Sequence, residues 1–144
     1  MIRSDTDRSR RRGQALVEFA LIFPVLILVL VAVFDLGRLV FAYNDITNAA
    51  RTGTRVAIVD QGNSNAQNAT INQATSLGLT SSEVTVKYLT SDLSAPCPAI
   101  KTLDCVAEIT VDYDWQAITP IIGTIIGPVT VTTVSRQPIE RIYP

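Results

Sequence analysis

The sequence predicts an α+β protein: one long N-terminal helix that crosses a membrane and continues into a small outer domain with an antiparallel β-sheet. Three observations carry that expectation. Phe19 to Phe34 (FALIFPVLILVLVAVF) holds no charged residue. Arg3, Arg8, Arg10, Arg11 and Arg12 crowd the stretch in front of it. Three later runs, Val84 to Leu89, Val106 to Trp115 and Val129 to Val134, alternate apolar and polar residues as half-buried strands do.

The apolar run comes first. With Ala15, Leu16 and Val17 before it and Leu36, Leu39, Val40 and Phe41 after it, the run reaches the roughly 20 residues a helix needs to cross a bilayer core. A helix is the single-segment solution there, because lipid offers no partners to backbone N–H and C=O groups. The arginines precede the run and few cations follow it closely, which places the N-terminus in the cytoplasm. Past Val59 the cations are Lys87, Lys101, Arg136 and Arg141. The competing readings are a buried core helix and a cleaved signal peptide with Val40-Phe41-Ala42 at its cleavage site. Pro24 lies inside the run, a position membrane helices tolerate. Glu18 is costlier: a carboxylate at the edge of the bilayer core implies a partner or a function, unless it reaches the headgroups.

Helical character is expected to continue to about Val59, on the spacing of Leu39, Ala42, Ile46, Ala49, Ala50, Gly53, Val56 and Ala57. Asp35 and Arg38 are spaced to pair on one face. Ala49, Ala50 and Gly53 would allow close packing, either against other helices or against the protein's own sheet. Gly62-Asn63-Ser64-Asn65 reads as a turn, and Ala66 to Leu77 as a short amphipathic helix closed by Gly78, with Ala69, Ile71, Ala74 and Leu77 offered to a core. The Asn68-Ala69-Thr70 sequon reads as chance. Ile118 to Ile126 is apolar but interrupted by Pro120 and Gly123, so it is a short helix, a loop on the sheet, or an exposed partner surface.

With 144 residues the chain has room for one domain. Its divisions are expected at residues 1–13 (basic cytoplasmic leader), 14–59 (transmembrane helix and its extension) and 60–144 (outer α+β domain). Charged residues make up 17% of the chain, fewer than a soluble domain carries, and a net charge of −1 gives no reason to expect nucleic acid. The chain has no histidine, so the usual general base and the commonest zinc ligand are missing. There is no Gly-x-Ser-x-Gly elbow and no phosphate-binding glycine loop, and Asp112 with Asp114 reads as a solvated pair on a strand. No enzyme, cofactor or metal site is expected. Cys97 and Cys105 cannot close a zinc site alone. Outside the cytoplasm they are expected to form a disulfide across a short loop, contributing roughly 2–3 kcal/mol, the alternative being two free thiols at a hairpin.

The junction Arg10-Arg11-Arg12-Gly13-Gln14-Ala15-Leu16-Val17-Glu18-Phe19 resembles the processing site of type IV prepilins: a basic leader ending in glycine, then an apolar helix with a glutamate five residues on. More narrowly, GQALVEFALIFPVLILVLVAVFDLGRLVFAYNDITNAARTGTRVAI looks like the TadE-like family of the tight-adherence (Tad/Flp) pilus system. The matching features are the Gly-x-Ala-x-Val-Glu-Phe-Ala start, the Phe-Pro pair and the small residues around Asn48 to Gly53. The tail Ser135, Arg136 and Glu140 matches in outline. The resemblance implies a type IV pilin-like fold and a pseudopilin or minor pilin that supports pilus assembly and surface adherence. It implies cleavage between Gly13 and Gln14 by a prepilin peptidase, with Glu18 as the fifth mature residue. A carboxylate one turn into such a helix can neutralise the new α-amino group of an adjacent subunit in a low-dielectric bundle. Implied partners are the peptidase, other pilin or pseudopilin subunits, inner-membrane assembly proteins and membrane lipid. The implied place is the bacterial inner membrane, or the pilus and cell surface. The alternative function is an unprocessed bitopic adaptor that recruits assembly partners through its outer domain.

Overall fold

The computed structural model describes residues 5–98 and 103–140. The cations Arg3, Lys101 and Arg141 lie outside the described residues. Helix α1 spans Asp5–Ala57, so its N-terminal end takes in residues of the expected leader from Asp5 onward, and its C-terminal end falls two residues short of Val59. Pro24 sits inside it. Helix α2 spans Asn63–Gln73, followed by a 3-10 turn at Thr75–Leu77. Strands β1 (Val84–Thr90) and β2 (Cys105–Trp115), the short helix α3 (Pro120–Ile126) and strand β3 (Val129–Pro138) complete the order. The sheet is an antiparallel meander, β1-β2-β3, with Val84 opposite Val111 and Trp115 opposite Val129.

The fold class is the expected one, and the local differences have physical reasons. The segment Gly62 to Asn65 is not a free turn, since α2 already begins at Asn63. Asp60 organises that entry: Gly62 donates its N–H to Oδ1 at 2.9 Å and Asn65 donates Nδ2–H to Oδ2 at 2.7 Å. These donors hold the Asp60 carboxyl below the usual carboxylate range. The helix expected over Ala66 to Leu77 instead stops at Gln73 and gives way to the 3-10 turn. Gly78 closes that turn at φ +65, a left-handed conformation suited to glycine, and donates its N–H to the Thr75 carbonyl. Ala66, Thr70 and Ala74 are the buried residues here, with Ile71 and Leu77 packed at the margin of the core.

The core lies between the C-terminal half of α1, helix α2 and one face of the sheet. Ala42, Ile46, Ala49, Ala50, Gly53, Thr54 and Ala57 are buried along α1 at intervals of three and four, the inward stripe of a helix. Ala49, Ala50 and Gly53 are therefore covered by this chain's own domain, which rules out their use as a bundle surface. A Cβ on Gly53 would stand 1.9 Å from Thr70 Oγ1, 2.7 Å from Ile109 Cδ1 and 3.0 Å from the Ala66 carbonyl oxygen. Glycine at 53 is what lets α1 and α2 approach so closely.

The far face of the sheet is polar. Arg136 Nε donates to Glu108 Oε2 at 2.5 Å across registered positions of β3 and β2. Asp112 accepts from Thr132 at 2.6 Å and Asp114 from Thr130 at 2.7 Å, so the aspartates serve cross-strand threonines. After β1 the chain folds back beside that strand, with Cys97 donating its N–H to the Tyr88 carbonyl at 2.8 Å. Cys97 and Cys105 form the disulfide that closes this segment. Burial pushes the Tyr88 phenol up from its ordinary value, and the negative charge of Asp60 adds to the effect.

Candidate functional site

The residues singled out for processing and assembly, Gly13, Gln14 and Glu18, lie on an exposed part of α1, while Cys97 and Cys105 pair in the outer domain. Gly13, Gln14, Val17, Glu18 and Leu21 line one shallow depression on the helix. Gln14 and Glu18 are four apart, so they stand one above the other on the same face. A Cβ on Gly13 would meet nothing within 4 Å, so no packing constraint in this chain requires glycine there. Every residue from Gly13 to Leu30 is exposed. The stretch is thus not a core helix of this chain, and its mean hydropathy reaches 3.0 with none of that window buried. Phe19 and Phe23 stack loosely on its surface, ring centroids 5.3 Å apart.

Cover begins at Val31 and Ala32, which are half-buried, and is nearly complete at Asp35, 3% exposed. The expected pairing of Asp35 with Arg38 is present at 3.6 Å. Closer partners of Asp35 come from the segment before α3. Ile118 donates its N–H to Oδ1 at 3.1 Å, while Thr119 donates its N–H at 3.2 Å and its hydroxyl at 2.6 Å to Oδ2. Sequence reasoning missed this contact. The available signal was a carboxylate at the end of an apolar run, already matched locally by Arg38, and nothing local points 84 residues downstream. Two further features were also illegible: the buried Glu108 with its Arg136, and a groove of about 430 Å³ where Leu39, Val40 and Tyr43 of α1 face Val129 to Thr132 of the edge strand.

Chemically, the hydroxyl–carboxylate contacts among the described residues join segments of the fold: Thr119 ties the approach to α3 to α1, and Thr130 and Thr132 tie β3 to β2. What the arrangement presents is an uncovered apolar helix, a carboxylate near that helix's start and a small domain clasped to its other end. This is the build of a membrane-anchored protein with one spanning helix. Within that class, residues 13–55 match the family model described as TadE-like protein, the family that the residues themselves resemble. No curated protein matches the chain, and no solved structure does.

Proposed function

We propose that this protein is a minor pilin or pseudopilin-like subunit of a Tad-type pilus. It is anchored through α1 with its N-terminus in the cytoplasm and residues 60–144 outside. The observation that carries the reading is the match over residues 13–55, which falls on the stretch holding Gly13, Gln14, Glu18 and the uncovered apolar helix. A prepilin peptidase cuts between Gly13 and Gln14. The new amino terminus and Glu18 then lie one turn apart on one helix face, where each can meet the opposite charge of a neighbouring pilin-type helix. Removing residues 1–13 shortens α1 and leaves the domain contacts from Asp35 onward untouched. A signal-peptide cut after Ala42 would instead sever α1 inside the domain, separating Asp35 from Thr119 and splitting the buried stripe at Ala42, 2% exposed.

The test is intact-mass and N-terminal peptide analysis of protein purified from native membranes. A start at Gln14 supports the reading. A start near Tyr43 overturns it in favour of a secreted domain, and an intact leader in cells that carry the peptidase leaves the bitopic adaptor.

A further inference from the structure

We propose that Ile118 to Ile126 is a lipid-embedded foot: it lies in the bilayer interface beside α1, so that membrane holds the domain at two places. The inference rests on α1 being a membrane span, and adds a second contact that the span does not require.

Height along α1 is the first argument. Ala15 to Phe34 is long enough, at about 1.5 Å per residue, to cross a hydrocarbon core of about 30 Å. Asp35 therefore marks the border of that core. The hydrogen bonds from Ile118 and Thr119 fix the start of the foot at that same border. Composition is the second argument. Gln116 to Ser135 contains no charged residue, whereas β2 just before it carries Asp112 and Asp114. Exposure is the third. Ile118, held beside Asp35, is 68% exposed and Ile126, at the other end of α3, 56%, two large apolar side chains left uncovered as Phe34 of α1 is at 72%. Placed against lipid, their apolar area leaves water. The carboxylate at the border is also accounted for: Asp35, costly beside lipid if unpartnered, accepts three hydrogen bonds from the foot and faces Arg38.

The experiment uses the full chain, one copy per nanodisc of zwitterionic phospholipid. Both native cysteines are in the disulfide, so a nitroxide can be placed through Ile126→Cys, with Ile118→Cys as a second position in the foot. Leu28→Cys reports the span and Ser64→Cys the exposed start of α2. Relaxation by dissolved oxygen is compared with relaxation by a water-soluble nickel chelate. The proposal expects labels at 126 and 118 to favour oxygen, as at 28, with the ratio reversed at 64. Labels at 126 and 118 that behave like 64, while 28 remains lipid-like, overturn the foot and leave the span standing. An aqueous label at 28 overturns the span, and the foot with it. Labels at 126 and 118 shielded from both reagents mean that protein covers them, which also overturns the proposal.

Discussion

The hydroxyl of Thr119 donates to Asp35 Oδ2 at 2.6 Å, joining the connection between β2 and β3 to the end of the exposed half of α1. Two backbone amides converge on the same carboxylate, so a single side chain positions the whole approach to α3. Charged acceptors make the stronger hydrogen bonds.

Asp35→Ala should release that segment. Amide exchange at Ile118 and Thr119 is expected to rise on the order of tenfold or more, while amides in β2 change little, because opening there is local. Hydrogen exchange read by mass spectrometry on the full chain checks this. Equal acceleration in β2 would mean that Asp35 supports the entire domain.

Gly13 and Gly53 should part company on substitution to alanine. At Gly53 the methyl meets Thr70 Oγ1, Ile109 and the Ala66 carbonyl, all in the packed interior, so stability should fall by about 1–3 kcal/mol despite alanine's better helix propensity. At Gly13 the methyl meets nothing, so the melting temperature should stay put while the proposed processing is lost. Thermal unfolding and intact mass of the two variants read the two effects separately.

Breaking the Cys97–Cys105 bond, by reduction or by Cys97→Ser with Cys105→Ser, should cost roughly 2–3 kcal/mol through the freed loop. Denaturation with and without reductant gives the difference. Alkylation of both thiols in unreduced protein would contradict the bond itself.

Asp92 accepts from Thr90 and from both the amide and hydroxyl of Ser94. The Ser94 hydroxyl, the Thr90 hydroxyl and the Ser94 amide together lower its carboxyl from 3.8 to about 2. A depressed folded-state value means that this contribution is fully present above the unfolded value near 3.8 and is lost as pH falls through about 2. The stability gap between wild type and Asp92→Asn should therefore be constant at neutral pH and close between pH 4 and pH 2. A gap that persists at pH 2 would show that the carboxylate's charge is not its source.

Glu18→Gln should leave membrane insertion and cleavage intact while impairing co-purification with pilin-type subunits, since the amide cannot neutralise a neighbour's amino group. Normal piliation in that variant would remove Glu18 from the assembly contact.

The main elements were legible because their signals are local. A run of apolar residues, three alternating strands and glycine at 78 each announce themselves within a dozen residues. The boundaries around Asn63 were not, because Asp60 supplies hydrogen bonds that let a helix start where the residue types favour a turn. The Asp35–Thr119 contact and the buried Glu108–Arg136 pair were invisible for a different reason. The first depends on how the β2–β3 connection settles against α1, and the second on the register between β2 and β3. The Ala49 to Gly53 stripe was legible as a close-packing surface but not as to what it packs against, since the same small residues serve either contact.

From Asp5 to Ala57 the helix continues without a loop, and its last turns are the backbone of the domain's interior. There is consequently no loop between the uncovered apolar stretch and the domain packed on the helix's other end. A push or a twist applied to the lower half is delivered to the sheet as through a shaft, and the place where that shaft can flex is Pro24, below Asp35. In the proposed anchored protein, the outer domain's orientation would then respond to whatever grips the apolar turns of α1 after Gln14.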